Sequence, residues 1–334
     1  MNRNCLYKFK PASYTPIKIN MSVFPKTLDI IVPVFNESGN IKALFAEVKK
    51  ELSDKFKNIR IIVIDDGSSD KTSEVVIKNI DKFPELNIVF IRFTRNYGKE
   101  IAVKCGIDHS ESDLCVIMDG DLQHPPRCII QANYAMQENE ANLVYISPAK
   151  RKKRFYQKMA TSGYRKILDF LSKEKVYLTD FTLMDRKAVE IVKQFNESDF
   201  YTRGILSIVG LKTFEISYFP NTRFDGKTKF SFFKLLNLAI NGIISVSTRP
   251  LRLAIYLGIT VSLVSMLFGI FLVIEKIRYG QEIAGFATLG FGLFFFAGLQ
   301  LLFIGLIGEY VGKTYIQTKN RPLYTIDFKK ENSK

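Results

Sequence analysis

Two uncharged apolar runs, Leu253 to Ile274 and Ile283 to Gly308, constrain this chain more than any other stretch. Hydrocarbon offers no water to a backbone, so only a helix or a closed barrel crosses it. A spanning helix needs about 20 consecutive apolar residues, and each run meets that length. A core helix of a soluble domain can be as apolar, but two such runs, adjacent and near one end, read as a pair of transmembrane helices. Their connecting loop, Glu275 to Glu282, has balanced charge, whereas Arg249, Arg252, Lys313, Lys319 and Arg321 flank the pair. Basic flanks favour the cytoplasmic side, which predicts that both ends of the pair, and the domain before it, face the cytoplasm. The stretch ahead of them, Phe230 to Val246, is apolar but carries Lys234 and two asparagines. It reads as helices lying in the membrane interface.

The sequence upstream has another rhythm. Leu28 to Val34, Ile59 to Ile64, Asn87 to Ile91 and Leu114 to Met118 are short apolar runs rich in β-branched residues, each read as a buried strand. Helical spacing follows the first, with Ile41, Leu44, Phe45 and Val48 on one face and Ser38 as its cap. Helices are also predicted from about Lys71, after Lys99 and from Pro125-Pro126. Strand and helix alternate to about residue 140, which argues an α/β fold with a mostly parallel sheet and helices on both faces. A further strand is predicted over Lys212 to Phe219. The expected layout is a flexible tail over 1–26, with Met21 a second candidate start, a cytoplasmic domain over 27–229, interfacial helices over 230–250, two transmembrane helices over 251–312 and a cytoplasmic tail over 313–334.

In such sheets ligands bind beyond the carboxyl ends of the strands. Asp65, Asp66, Asp119 and Asp121 all lie at such ends. In extended backbone, residues two apart face the same side, so Asp119 and Asp121 can share one cation across Gly120. Hard divalent cations sit between one or two carboxylates and substrate phosphates. The chain holds 48 Lys and Arg against 33 Asp and Glu, a net charge of +15, which suits anionic partners such as nucleotides, phosphates or an anionic membrane face. No nucleic-acid reading motif is present. Cys5, Cys105, Cys115 and Cys128 form no C-x-x-C pair, and with His109 and His124 the only histidines, no zinc site is suggested. The cysteines beside apolar runs are expected to be buried, reduced thiols. A basic run, Lys150 to Arg154, precedes an amphipathic helix and suits anionic headgroups. Arg223 and Lys229, in a loop with Asp225-Gly226, can clamp phosphate oxygens.

The segments PVFNE (33–37), DDGSSD (65–70), RNYGKE (95–100), DGDLQHPP (119–126), DFTLMDR (180–186), RG (203–204), RFDGKTKF (223–230) and PLR (250–252) occur in this order. Together they resemble the inverting family-two glycosyltransferases with a GT-A fold, in the polyprenyl-phosphate subgroup, over residues 28 to 315. The resemblance implies that Asp119 and Asp121 coordinate Mg²⁺ or Mn²⁺ with the donor diphosphate, that Asp121 is catalytic and that Gln123 supports the same site. It implies that Pro33, Glu37, Asp65, Asp66 and Lys99 hold the nucleotide-sugar, that Asp180 is the candidate base, and that Arg203, Arg223 and Lys229 bind phosphate or the acceptor. The implied partners are a UDP-sugar and undecaprenyl phosphate, with glucose expected and mannose, N-acetylglucosamine or a modified pentose as alternatives. The implied setting is a bacterial inner membrane, the product a lipid-linked sugar for cell-surface glycans such as O-antigen, and the assembly a homo-oligomer. Two departures touch sugar or acceptor contacts: Thr182 stands where the family carries arginine, and SPAKRKKR (147–154) replaces its arginine pair. A lipid phosphate has a second pKa of about 6, so it is already a nucleophile at neutral pH and Asp180 can orient more than abstract. The rivals are a processive synthase, disfavoured because the chain has no tryptophan, and a membrane-tethered nucleotide-binding protein without catalysis.

Overall fold

The structure, a computed structural model, describes residues 5–6, 24–149, 177, 179–218, 249–279 and 285–332. The basic run Lys150 to Arg154 and its helix, the loop with Arg223 and Lys229, and the segment 230–248 lie outside the described residues. The chain divides into two compact units, one holding the sheet and the C-terminal residues 322–334, the other holding two long helices.

The first unit is built in the order β1 (Cys5–Leu6), β2 (Phe24–Val34), α1 (Ile41–Leu52), β3 (Phe56–Asp65), α2 (Thr72–Ile80), β4 (Asn87–Phe93), α3 (Lys99–Asp108), β5 (Leu114–Ile117), α4 (Arg127–Glu138), β6 (Leu143–Pro148), β7 (Thr182–Asp185), α5 (Arg186–Lys193), α6 (Thr202–Ile208), β8 (Thr213–Tyr218) and, at its end, β9 (Ile326–Glu331). Its strands form one nine-stranded sheet in the order β1-β8-β6-β7-β5-β2-β3-β4-β9. The central strands β5, β2, β3 and β4 are parallel, as are β6 and β8. β7 runs antiparallel between β5 and β6. This is the mostly parallel α/β arrangement that the strand–helix alternation predicts.

The continuous apolar runs follow from burial on both faces. Along β2, Ile30 and Val32 point into one core with α1, α2 and α4, while Ile31 points into the other with α3, α5 and α6. Successive side chains of a strand alternate faces, so a run without polar breaks feeds both cores. α1 begins at Ile41 with Asn40, not Ser38, at its cap position. Asn40 points its amide at Glu37 Oε2, and its own N–H closes a turn on the Glu37 carbonyl.

Both termini depart from the expected tails. Cys5–Leu6 pairs antiparallel with β8, and β2 already begins at Phe24. A two-residue strand needs no side-chain periodicity, only the open backbone groups of a sheet edge. The segment expected as a tail over 313–334 continues the last long helix to Thr318 and then forms β9, antiparallel to β4. Phe328 packs edge-on against Phe90 at 5.6 Å, while the lysines and glutamate that follow stay at the surface. Cys105 and Cys115 are free and buried, whereas Cys128, expected as a thiol, is disulfide-bonded. Cysteine spacing alone does not reveal connectivity.

The second unit holds α7 (Arg249–Tyr279) and α8 (Phe286–Thr318). Within them, Ala254–Glu275 and Phe295–Thr318, 22 and 24 residues, are long and apolar enough to cross a membrane. They are not core helices: Leu267, Phe271, Leu301 and Leu302 are exposed.

Candidate active site

Three loops at the carboxyl ends of β2, β3 and β4 are tied together by short polar side chains. Asn36, at φ 56°, accepts from the backbone N–H groups of Ser69 and Asp70 at 3.0 and 3.2 Å. The Asn36 and Glu37 N–H groups donate to Ser68 Oγ and Thr72 Oγ1, each at 2.9 Å. Asp65, fully buried, accepts from the Ser68 N–H at 2.8 Å and from Ser73 Oγ. Asp66 accepts from the N–H groups of Tyr97 at 2.6 Å and Gly98 at 2.9 Å, and burial raises its carboxyl above the usual range despite those bonds. Gly67, at φ +69°, brings its backbone so near the next loop that a Cβ would lie 2.5 Å from the Arg95 carbonyl carbon. Asp65 and Asp66 thus hold these loops in shape. Pro33, beside Ile64 in the β2–β3 register, borders the same end of the sheet.

The acidic turn follows β5. Asp119 donates its N–H to His124 Nδ1 at 3.0 Å. Gln123 donates its backbone and side-chain N–H groups to the two Asp121 oxygens, at 3.2 and 2.5 Å. Leu122 takes the left-handed conformation, φ 62°, which closes the turn before α4. Burial lowers the His124 pKa, and with Nδ1 accepting from the Asp119 N–H, a ring proton sits on Nε2. The ring stacks on Phe181 at 4.7 Å. Gly120 serves packing more than ligand approach: a Cβ there would fall 3.0 Å from Val34 Cγ1.

Four charges meet beside this turn. Lys99, the first residue of α3, places Nζ 2.6 Å from Asp119 Oδ1 and 2.6 Å from Asp180 Oδ2. Arg203, on α6, donates from Nε to Asp180 Oδ1 at 2.6 Å. Burial alone would raise the Asp180 carboxyl, but the Arg203 hydrogen bond and the Lys99 and Arg203 charges outweigh it and hold it well below the usual range. Burial would likewise lower Lys99, and the two carboxylates hold it above the usual lysine range instead. A carboxylate held so low is a poor proton acceptor at neutral pH.

Asp119 Oδ1 is buried and makes no well-aligned hydrogen bond, its contact with Lys99 being an ion pair. Asp121 follows two residues on, and both are hard oxygen donors. Among the described residues no group of three or more His, Cys, Asp or Glu can hold a metal alone. Two hard oxygen donors in one turn fit part of a divalent cation's coordination shell.

The structure brings Lys99, Asp119, Asp180 and Arg203 into one cluster and sets Asp121 and Gln123 in the adjoining turn. Lys99 and Arg203, expected on the donor and on phosphate, here contact carboxylates. Arg223 and Lys229 lie outside the described residues. Sequence reasoning missed two residues: His124, which ties the Asp119 backbone to Phe181, and Glu100, which accepts from Thr202. Both stand inside quoted motifs, but the Glu100 partner is 102 positions away.

The sequence profile of Glycosyl transferase family 2 matches residues 29–206. The chain belongs to this family. Its mixed sheet is the family's GT-A fold. The family-two chain is 36% identical over 303 residues to a prophage bactoprenol glucosyl transferase homolog of Escherichia coli (strain K12), covering 90% of this chain and 98% of that one. It is 34% identical over 302 residues, covering 90% of this chain and 94% of the other, to an uncharacterized glycosyltransferase of Synechocystis sp.. Among solved structures, the mannosyltransferase PcManGT from Pyrobaculum calidifontis, in complex with GDP-Man and Mn2+, matches with a TM-score of 0.45 and 18% identity, over 69% of this chain and 74% of that chain.

Proposed function

We propose that this family-two glycosyltransferase moves a hexose, glucose in the first instance, from a UDP-sugar to polyprenyl phosphate with inversion at the anomeric carbon. The observation that carries the reading is the extent of the likeness to a protein named as a bactoprenol glucosyl transferase homolog. At 90% of this chain the likeness reaches beyond the sheet into the membrane-length helices. A soluble donor site joined to a membrane anchor suits a lipid acceptor. The return of the chain from α8 to β9, in the same sheet as β4, supports a helical hairpin whose two ends open on one side of the membrane, the cytoplasmic side by its basic flanks.

In this reading Asp119 and Asp121 would hold Mg²⁺ or Mn²⁺, which would supply positive charge to neutralise a diphosphate leaving group. Asp65, Asp66 and Glu37 hold the loops in shape for the nucleoside. Lys99 supplies fixed positive charge between Asp119 and the reacting sugar. Asp180, ionised and clamped, orients hydroxyl groups of sugar or acceptor, and the lipid phosphate brings its own oxyanion to the anomeric carbon. Arg203 holds Asp180 in place, and Arg223 and Lys229 meet phosphate oxygens. Positioning and preorganised charge supply most of the rate.

The test is transfer itself. Detergent-solubilised protein is incubated with undecaprenyl phosphate and each of labelled UDP-glucose, UDP-N-acetylglucosamine and GDP-mannose, and the organic phase is counted. Label from UDP-glucose is expected to enter a lipid that mild acid releases as free sugar. Transfer from another donor alone would replace the sugar, and no transfer from any would leave the non-catalytic reading standing.

A further inference from the structure

We infer that Glu100 is a positioning residue of the transfer reaction, acting on Asp180 through Thr202 and Arg203. A single carboxylate oxygen, Glu100 Oε2, accepts from both the Thr202 N–H at 2.9 Å and the Thr202 hydroxyl at 2.6 Å. Thr202 is 5% exposed and opens α6, a helix of seven residues. Tyr201, the residue before it, contributes no side-chain cap. So short a helix has little stability of its own and takes its orientation from tertiary contacts. The next residue is Arg203, whose Nε meets Asp180 Oδ1 at 2.6 Å.

Glu100 also adjoins Lys99, which takes the other Asp180 oxygen at 2.6 Å. One turn of α3 therefore serves Asp180 twice, directly with an ammonium and indirectly by holding the helix that carries the guanidinium. The two contacts fix both Asp180 oxygens, and a carboxylate fixed at both oxygens presents one orientation to a hydroxyl group. Lys99, Glu100, Asp180, Thr202 and Arg203 line one small cavity, into which the buried Thr182 hydroxyl brings no hydrogen-bond partner of its own. Arg203 follows Thr202 directly on α6, so a shift of that helix is carried to Asp180 through the Arg203 contact.

The inference rests on the transferase reading only for its assay, and the wild-type control separates the two: without wild-type turnover the reading above fails, whereas with it the variants judge Glu100. Four full-length variants are compared, E100A, E100Q, T202V and R203K, with donor KM, kcat and a melting curve for each. E100A is expected to lower kcat about tenfold with donor KM within about twofold, the pattern of an interaction made in the transition state. E100Q keeps an acceptor oxygen and is expected to recover most of the loss. T202V removes only the hydroxyl donor and is expected to fall between. Because Glu100 acts through Arg203, E100A and R203K combined should cost little more than the larger single loss. An E100A protein that melts early but turns over normally, or a double variant whose losses multiply, would overturn the inference. If E100A does not fold, T202V with R203K makes the same comparison and decides in the same way.

Discussion

Asp180 is the residue on which the charges of this site converge, and its state sets the pH behaviour. Its folded pKa lies below the unfolded value, so its contribution to stability is present above about pH 3.9 and is lost only as pH falls through the lower, folded value. Lys99 runs the other way: its contribution is present below about pH 10.4 and is lost only as pH rises through its raised folded value. Asp180 and Lys99 therefore both stay charged across the working range. An acid limb in kcat/KM near pH 6 is expected from the lipid phosphate, not from Asp180. R203K should lower the plateau of that profile without moving its midpoint, and a midpoint that moves with the variant would give the limb to Asp180 instead. Asp121→Asn is expected to abolish most turnover while the protein still folds, since asparagine keeps the shape of the side chain and one acceptor oxygen toward Gln123. Excess chelator should have the same effect on the wild type, and full activity in either case would remove the cation from Asp119 and Asp121.

At the scale of elements, the strand–helix alternation was legible because β2 to β5 are buried on both faces and so nearly free of polar breaks. The acidic turn after β5 was legible for the same reason, since carboxylates stand out at the end of such a run. The links between distant segments were not. Nothing in RNYGKE shows that Glu100 meets Thr202, and nothing near Asp180 shows that Lys99 and Arg203 close on its two oxygens. β9 was missed because only Ile326 and Phe328 alternate before charged residues take over. Yet the segment leading into β9 holds the outer side of the loop before Lys99. The Thr94 N–H donates to the Thr325 carbonyl at 3.1 Å, the Tyr324 ring stacks on Phe93 at 5.2 Å, and the Tyr324 hydroxyl donates to Asp108 at 3.2 Å. Aromatic pairs contribute about 0.5–1.5 kcal/mol beyond burial, up to roughly a tenfold change in an equilibrium. Tyr324→Ala is therefore expected to raise donor KM about three- to tenfold and Tyr324→Phe to stay within about twofold. Equal donor KM for Ala, Phe and wild type would show that the loop holds its place without the C-terminal segment.

Across the whole molecule, the long helices make the strongest physical demand, since exposed Leu267, Phe271, Leu301 and Leu302 require a cover other than water. The protein is expected to resist extraction by alkaline carbonate and to require detergent. If both ends of the helical pair are cytoplasmic, as proposed, a cysteine placed at Gln281 should react with an impermeant reagent only from the far side of the membrane, and labelling from the cytoplasmic side alone would reverse that topology. The pairing of β9 with β4 also has a consequence in time. Ile88 and Asn332, bonded in the finished sheet, are 244 positions apart, and the ribosome makes one long before the other. Throughout synthesis of the helices the β4 edge stands bare, a template to which any passing strand can add. Long-range pairing of this kind is slow, so a nascent chain depends on finishing its last residues to close its own sheet. A chain that stops after α8 would be born with that edge permanently open, and self-association would add to the weaker donor binding expected of Tyr324→Ala.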